Sequence, residues 1–190
     1  MGWQSEEFGS FHEGTAGAVL GDGSEPGPVY VDAGSGSHMP AITDWWVYDG
    51  TLGAPRATHL RGSCSCGWRG ERRYAIDWGL VAEDPYDADT SGPRDDWAQH
   101  IEHVKERSVP LPVALEGLLA EVDQQLTALA ADAPLAALRA VAALERTTKR
   151  IGREAAYHAE ADELSWETIG KALGITEKDA RSRLVNYSLR

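Results

Sequence analysis

The apolar positions of the C-terminal half follow helical spacing. Leucine and valine recur every three or four residues over residues 115–129 and again over 135–151, which predicts two long helices. The segment Val-Pro-Leu-Pro at residues 109–112 should be a stiff linker before them, because proline disfavours helix on either side. Pro134 suits the first turn of the second helix. A short connection of this kind should make the two helices pack antiparallel.

A third helical stretch, SWETIGKALGITEKDARSRLVNY at residues 165–187, predicts two short helices joined by a tight turn. Gly174 should end the first of them, because glycine adopts positive φ without strain. Thr176 should cap the second with its hydroxyl group. The shared apolar face is predicted to consist of Trp166, Ile169, Leu173, Ile175, Ala180 and Leu184.

Residues 42–81 favour β-structure instead. The apolar run at residues 45–48 is typical of a strand, and Asp49-Gly50 is typical of a turn. Residues 95–107, DDWAQHIEHVKER, return to helical spacing. The buried stripe of this helix should be Trp97, Ile101 and Val104.

Four potential metal ligands belong to this middle region. Cys64 and Cys66 are one residue apart before Gly-Trp, which is typical of a turn at a hairpin tip, and His100 and His103 are one helical turn apart. Two cysteines and two histidines are a tetrahedral zinc set, and four protein ligands make the Zn²⁺ structural. The pattern resembles a C₂H₂ zinc finger, with the narrow cysteine spacing of the SWIM type. If one of the two histidines does not reach the ion, His59 is the substitute ligand. Free thiols or a strained disulfide are the alternatives.

The charge of the chain is uneven. The net charge is −12, and half of it lies in residues 1–39, which contain six acids and neither lysine nor arginine. The chain contains no apolar run of the roughly 20 residues that a membrane helix needs, and no signal peptide. We therefore expect a cytoplasmic protein that does not engage a membrane.

Residues 34–39, GSGSHM, resemble a Gly-Ser linker joined to a cloning scar. This pattern predicts that residues 1–33 are a fused segment of another protein, whereas a natural acidic tail is the alternative. The segment is Gly-rich and acidic, so alone it should be disordered, with a terminal edge strand around Tyr30. Its spaced apolar residues are typical of a peptide that folds onto a partner. The predicted anchors are Trp3, Phe8, Phe11 and Tyr30.

A basic patch surrounds the two cysteines. Arg61, Arg69, Arg72 and Arg73 all belong to the predicted hairpin. Such a patch is either a solvated face or a docking site for phosphate or an acidic peptide. We favour the peptide, because residues 1–33 offer one.

The segment at residues 165–187 resembles a bacterial helix-turn-helix of the SWxxIGxALG type. The resemblance implies a second helix that enters the major groove of DNA. Glu177 and Asp179 depart from the family pattern, in which this end of the helix contacts phosphates and bases. The predicted DNA-binding residues are Lys171, Thr176, Lys178, Arg181, Ser182 and Arg183.

The predicted fold class is therefore α+β: a small zinc-stapled β-hairpin and helix module, then an all-α helical hairpin and a C-terminal helix-turn-helix. The predicted divisions are residues 1–33 for the acidic partner peptide, 34–39 for the linker and scar, 40–108 for the zinc module, 109–112 for the second linker and 113–190 for the helical domain.

These features favour a DNA-binding transcriptional regulator that also binds an acidic partner peptide through its N-terminal zinc module or its helical domain. The long apolar stripes allow a homodimer. The alternative is a protein–protein adaptor with a degenerate helix-turn-helix. No nucleophile–base pair, phosphate loop or open metal site stands out, so no enzymatic activity is predicted.

Overall fold

The computed structural model describes residues 2–30, 41–81 and 84–188 of the 190-residue chain. The chain divides into two compact units, Met1–Glu106 and Arg107–Arg190. An antiparallel sheet together with helices confirms the α+β prediction at the level of fold class. The predicted linker and cloning scar at residues 34–39 lie outside the described residues.

The first unit has six described strands: β1 (Trp3–Ser5), β2 (Gly9–Leu20), β3 (Val29–Tyr30), β4 (Ala41–Ile42), β5 (Ala57–Cys64) and β6 (Tyr74–Ala75). Four of them form a curled antiparallel sheet in the order β1-β2-β5-β6. The other two, β3 and β4, pair with each other in a separate antiparallel sheet. The N-terminal segment therefore supplies an inner strand of the larger sheet.

Strand β2 runs through the acidic, Gly-rich segment, for which the sequence predicts disorder when the segment is alone. Its buried side is lined by His12, Gly14, Ala16 and Ala18, at every second position as in a regular strand. Small residues obscured this period of two in the sequence. The strand expected near Tyr30 exists as β3, but it pairs with β4 and contributes nothing to the four-stranded sheet.

The apolar run predicted as a strand at residues 45–48 is instead a 3₁₀ turn, Trp45–Val47. Its amides bond locally, with Val47 N donating to Asp44 O at 3.1 Å. A short apolar run cannot distinguish strand from helical turn by periodicity alone. Trp45 and Tyr48 are buried there against β2 and β5, and the Tyr48 hydroxyl donates to Gly27 O at 3.0 Å.

Helix α1 (Trp78–Val81) and helix α2 (Ser91–Arg107) complete the first unit, and α2 contains the helix predicted at residues 95–107. Two glycines allow α2 to lie close to the sheet. A Cβ at Gly14 would be 2.5 Å from the Trp97 ring, and one at Gly62 would be 2.6 Å from Pro93 O. This close approach brings the middle of α2 beside the end of β5.

The second unit is helical, as predicted. Its helices are α3 (Val113–Asp132), α4 (Pro134–Ala161), α5 (Trp166–Leu173) and α6 (Glu177–Ser188). Pro134 begins α4, and residues 109–112 are neither helix nor strand. Among the described helices, none is both long enough and apolar enough to cross a lipid bilayer.

The core of the second unit is small. Ala156 of α4 packs with Ile169 of α5 and with Ala180 and Leu184 of α6. Two residues predicted for this face lie at its margin, because Trp166 is 36% exposed and Leu173 is 40% exposed. The 20 residues of α3 include none that is buried in the described structure. The long apolar stripes of α3 and α4 therefore remain largely open to solvent.

Candidate functional site

Four potential metal ligands converge in the first unit: His12, Cys64, Cys66 and His100. One donor atom from each residue lies within 4.8 Å of all the others. His12 Nδ1 is 3.5 Å from Cys64 Sγ, and His100 Nε2 is 3.4 Å from Cys66 Sγ. Both cysteines are free thiols. A group of this composition and size could hold a metal ion.

Strand register explains why His12 meets the cysteines. Gly14 pairs with Cys64, and the pairing continues one step further, where the amide of Ser65 donates to Glu13 O at 2.8 Å. One further step in the same register places His12 across from Cys66. A single histidine of β2 therefore lies beside both cysteines.

A tight turn after β5 positions the second thiol. The amide of Gly67 donates to Cys64 O, and the amide of Cys64 donates to Trp68 O, both at 3.0 Å. Gly67 has φ of +96°, a conformation that glycine adopts without strain. The turn is the hairpin tip that the sequence predicted, and it directs Cys66 toward α2.

Aromatic rings hold the two imidazoles in place. The Trp68 ring stacks on His100 with centroids 4.5 Å apart and planes within 6°. The Phe8 ring meets His12 edge-on at 5.3 Å, and His12 is only 3% exposed. These contacts fix both rings before any ion binds, which reduces the entropy lost on coordination.

Hydrogen bonding makes the two thiols unequal. The bond with Cys66 holds the pKa of the Cys64 thiol far below its usual value, although burial opposes the shift and the two imidazoles reinforce it. The same bond, together with burial, raises the pKa of Cys66. This arrangement favours ionisation of Cys64, and the thiolate is the form of cysteine that binds a metal.

The predicted ligand set differs from this cluster at one position. His103 lies outside the cluster: it is exposed, and its Nδ1 is 2.8 Å from Gln99 O on its own helix. His59, the predicted substitute, is also outside and contacts the Thr58 hydroxyl. Spacing along one helix suggested His103, but pairing between β2 and β5 brings His12 instead.

Sequence reasoning missed His12 because residues 1–33 were assigned to a separate partner. The available signal was the alternation of His12, Gly14, Ala16 and Ala18, which predicts a strand with its small side chains facing inward. A strand of this kind would have placed the histidine on the same buried face as these small residues.

The arginine patch forms ion pairs with one acid of the acidic segment. Glu25 accepts hydrogen bonds from both Arg61 and Arg69, the latter at 2.7 Å. Arg72 pairs with the buried Asp96 at 3.4 Å. The side chain of Arg73 lies beside Gly23, where an added Cβ would be 3.0 Å from its guanidinium.

Three of the four predicted anchors of residues 1–33 pack within the first unit. The Trp3 ring lies 5.9 Å from Trp97, Phe8 is buried, and Phe11 is half-buried. Tyr30 differs, since its side chain is largely exposed on β3.

The turn between α5 and α6 has the geometry that the sequence predicted. Gly174 has φ of +64° and ends α5. The Thr176 hydroxyl accepts from the amide of Asp179 at 3.1 Å and donates to the Asp179 carboxylate at 2.6 Å. Ser165 caps α5 by accepting from the amide of Thr168. Both short helices therefore begin with a side-chain cap.

The predicted DNA-binding residues fall into two groups. The side chains of Lys178, Arg181, Ser182 and Arg183 are all exposed on α6. Lys171 lies on α5 and pairs with Glu167 at 2.8 Å, while Thr176 is occupied by the cap. Of the α6 group, Lys178, Arg181 and Ser182 share one side of the helix, whereas Arg183 Nε donates to the Tyr187 hydroxyl at 3.1 Å.

The chain matches no protein-family model, no curated protein and no solved structure.

Proposed function

We propose that the protein is a DNA-binding transcriptional regulator whose α5, turn and α6 form a helix-turn-helix. The observation that carries the proposal is the exposed face of α6. Ala180 and Leu184 bury one side of this helix, so Lys178, Arg181 and Ser182 project from the other. Two cations and a hydroxyl on an outward helix face are the groups that contact phosphates and base edges in the major groove.

The contacts of Asp179 support this proposal. Two carboxylates in the first turn of α6 would repel DNA if both pointed outward. Asp179 instead points back to the Thr176 hydroxyl and is partly buried, which leaves Glu177 as the exposed acid of that turn. Only one of the two carboxylates in the first turn of α6 is therefore fully exposed toward a bound duplex.

We propose that the metal is Zn²⁺ and that its role is structural. The four residues His12, Cys64, Cys66 and His100 provide a Cys₂His₂ set. This set would leave no position for a reactive water on a tetrahedral ion. The site would join β2, the hairpin tip and α2, three elements that are far apart in sequence.

We further propose that residues 1–33 represent an acidic partner peptide that the rest of the first unit binds. Main-chain pairing of β2 with β5, the Glu25 contacts with Arg61 and Arg69, and the His12 ligand would together hold it. This mode is strand addition to a sheet, with a shared metal as an additional link.

The regulator is proposed to act as a homodimer through α3 and α4. Leu118 and Leu138 are 59% and 66% exposed, and eight other leucine, valine and isoleucine side chains on these helices are also exposed. Helix α3 has four acids and no base, whereas residues 139–153 of α4 have five bases and one acid. A second copy would therefore offer each helix both an apolar stripe and a complementary charge.

The alternative function is a protein–protein adaptor that does not bind DNA. The exposed Glu177 favours it, as does the cleft beside it, whose lining includes Trp166 and four glutamates. Such a surface suits a basic protein segment better than nucleic acid.

Selection of random duplex DNA by the full chain at fixed near-physiological salt distinguishes the two functions. We expect one enriched motif, and loss of that preference in the double variant Arg181→Ala, Ser182→Ala. The control is Arg94→Ala, which removes an exposed cation from α2 in the first unit. Absence of any enriched motif would contradict the regulator and favour the adaptor.

A further inference from the structure

A basic cleft between α4 and α6 carries an inference beyond the predicted DNA contacts. The cleft has a volume of about 330 Å³ and is lined by Lys149, Arg153, Asn186 and Tyr187. The first two residues belong to α4, and the other two belong to the C-terminal turn of α6. None of these residues was among the predicted DNA contacts. Lys149 and Arg153 precede the helix-turn-helix, and Asn186 and Tyr187 lie at its C-terminal end.

Among the described residues, the lining offers donors and positive charge without a compensating acid. The Lys149 ammonium makes no ion pair or hydrogen bond within the described residues, and no acidic side chain is among the four lining residues. Arg153 uses only its Nε, which donates to Tyr187 O at 3.5 Å. Lysine, arginine and an amide around one open cleft are the donor set of an anion site.

Tyr187 packs between α4 and α6 and contacts residues of both helices at the cleft. Its ring packs on Gly152, where an added Cβ would lie 2.8 Å from the ring. Its hydroxyl accepts from Arg183 Nε at 3.1 Å, and its carbonyl accepts from Arg153. Tyr187 is therefore held from both helices, and the cleft is a built feature of the packing between α4 and α6.

The position of the cleft relates it to the exposed face of α6. Asn186 lines the cleft, is exposed and lies four residues, or about one turn, after Ser182. The cleft therefore lies at the margin of the surface that carries Lys178, Arg181 and Ser182. A duplex whose groove receives that surface would bring its sugar–phosphate backbone against the end of α6.

We infer that this cleft binds a backbone phosphate of DNA, with Lys149 and Arg153 as the cations and Asn186 as a neutral donor. The inference rests on the proposed DNA-binding function and adds to it a contact from α4, outside the helix-turn-helix. Its role is to fix the orientation of α6 on the duplex, because phosphate contacts set register and carry no sequence information directly.

The experiment measures the affinity of the full chain for its selected duplex and for a scrambled duplex over a range of KCl concentrations. Removing one phosphate contact should lower the slope of log affinity against log salt by about 0.9, which is about fivefold in affinity at 0.15 M salt. We expect Lys149→Gln and Arg153→Gln each to cause this change equally for both duplexes. Circular dichroism should show unchanged helicity, since both side chains are exposed.

Arg150→Gln is the matched control. Arg150 is the neighbour of Lys149 on α4, but it pairs with Glu154 at 3.7 Å and does not line the cleft. An equal loss of slope in this control would overturn the inference, because the effect would then belong to the general charge of α4.

Unchanged slopes in both cleft variants, with DNA binding intact, would overturn the inference and leave the proposed function standing. Failure of the unmodified chain to bind any duplex would instead overturn the proposed function, and the inference with it.

Discussion

The two units of the chain bury their apolar side chains to very different extents. In the first unit, Trp45, Tyr48 and Trp97 are almost completely buried around a four-stranded sheet. In the second, α3 has no buried residue within the described structure, and most leucines of α3 and α4 are exposed to solvent. The first unit therefore closes its core with strands from residues 1–106 and, by our proposal, a metal. The second has a helical framework whose largest apolar surface still needs a partner.

Metal removal should have the largest effect, and it should be confined to the first unit. Structural zinc contributes on the order of 10 kcal/mol to small zinc-binding domains. We therefore expect Cys64→Ser or a chelator to unfold the first unit while the helical signal of the second persists. Zinc analysis after dialysis, with thermal melts followed by tryptophan fluorescence and by circular dichroism, measures both effects.

A pair of histidine variants sharpens the same prediction. His12→Gln removes a ligand of the observed cluster, whereas His103→Gln removes an exposed histidine from the same helix as His100. Competition with a coloured chelator should show that the first weakens zinc binding by at least about 100-fold, as expected for loss of one of four ligands, and that the second does not. The opposite result would restore the ligand set predicted from the sequence.

Disruption of the α3–α4 surface should have the next largest effect, and it should change assembly more than folding. A glutamate in place of a leucine that becomes buried in a dimer loses roughly 2 kcal/mol of apolar burial and adds an unpaired charge. We expect Leu118→Glu with Leu138→Glu to convert a dimer into a monomer of unchanged helicity. Sedimentation of the full chain at several concentrations measures this change.

The control for that experiment is Leu52→Glu in the first unit. Leu52 is 105% exposed, so its replacement by a charge should leave assembly unchanged. A monomeric unmodified chain, or a double variant that still dimerises, would contradict a dimer through α3 and α4.

A pair of glycine variants compares two backbone environments within the second unit. Gly174 has φ of +64°, so Gly174→Ala should destabilise the unit by about 1 kcal/mol. Gly117 lies inside α3 with open space where a Cβ would be, so Gly117→Ala should stabilise it by roughly 0.5–1 kcal/mol. Urea unfolding followed by circular dichroism measures both changes. If both variants changed the free energy of unfolding equally, the turn at Gly174 would have to accommodate alanine without strain.

The sequence predicted the second unit better than the first because helical contacts are local. Gly174 and Thr176 could be assigned to the turn and the cap because their roles depend only on neighbouring residues. Strand pairing depends on residues far apart, and the period of two in β2 was obscured by glycine and alanine. Three of the four cluster residues were therefore predicted, but His12 was missed, since only the register with β5 brings it to Cys64.

The smallest predicted effect concerns the contact between the acidic segment and the arginine patch. Burial alone would raise the pKa of Glu25, but hydrogen bonds from Arg61 and Arg69 outweigh it and hold the pKa below its ordinary value of 4.5. A lowered pKa in the folded state means that the ionised carboxylate stabilises the fold above pH 4.5, and that this contribution is lost as pH falls through the folded pKa.

Because the pair is partly solvated, Glu25→Gln should cost only about 0.5 kcal/mol at pH 7. Urea unfolding followed by tryptophan fluorescence should show this difference from the unmodified chain shrinking toward pH 3. Glu71→Gln, which replaces an exposed acid without an ion pair among the described residues, should show no such difference. A pH-independent loss in Glu25→Gln would assign the effect to packing and leave the strand pairing of β2 as the main attachment of the acidic segment.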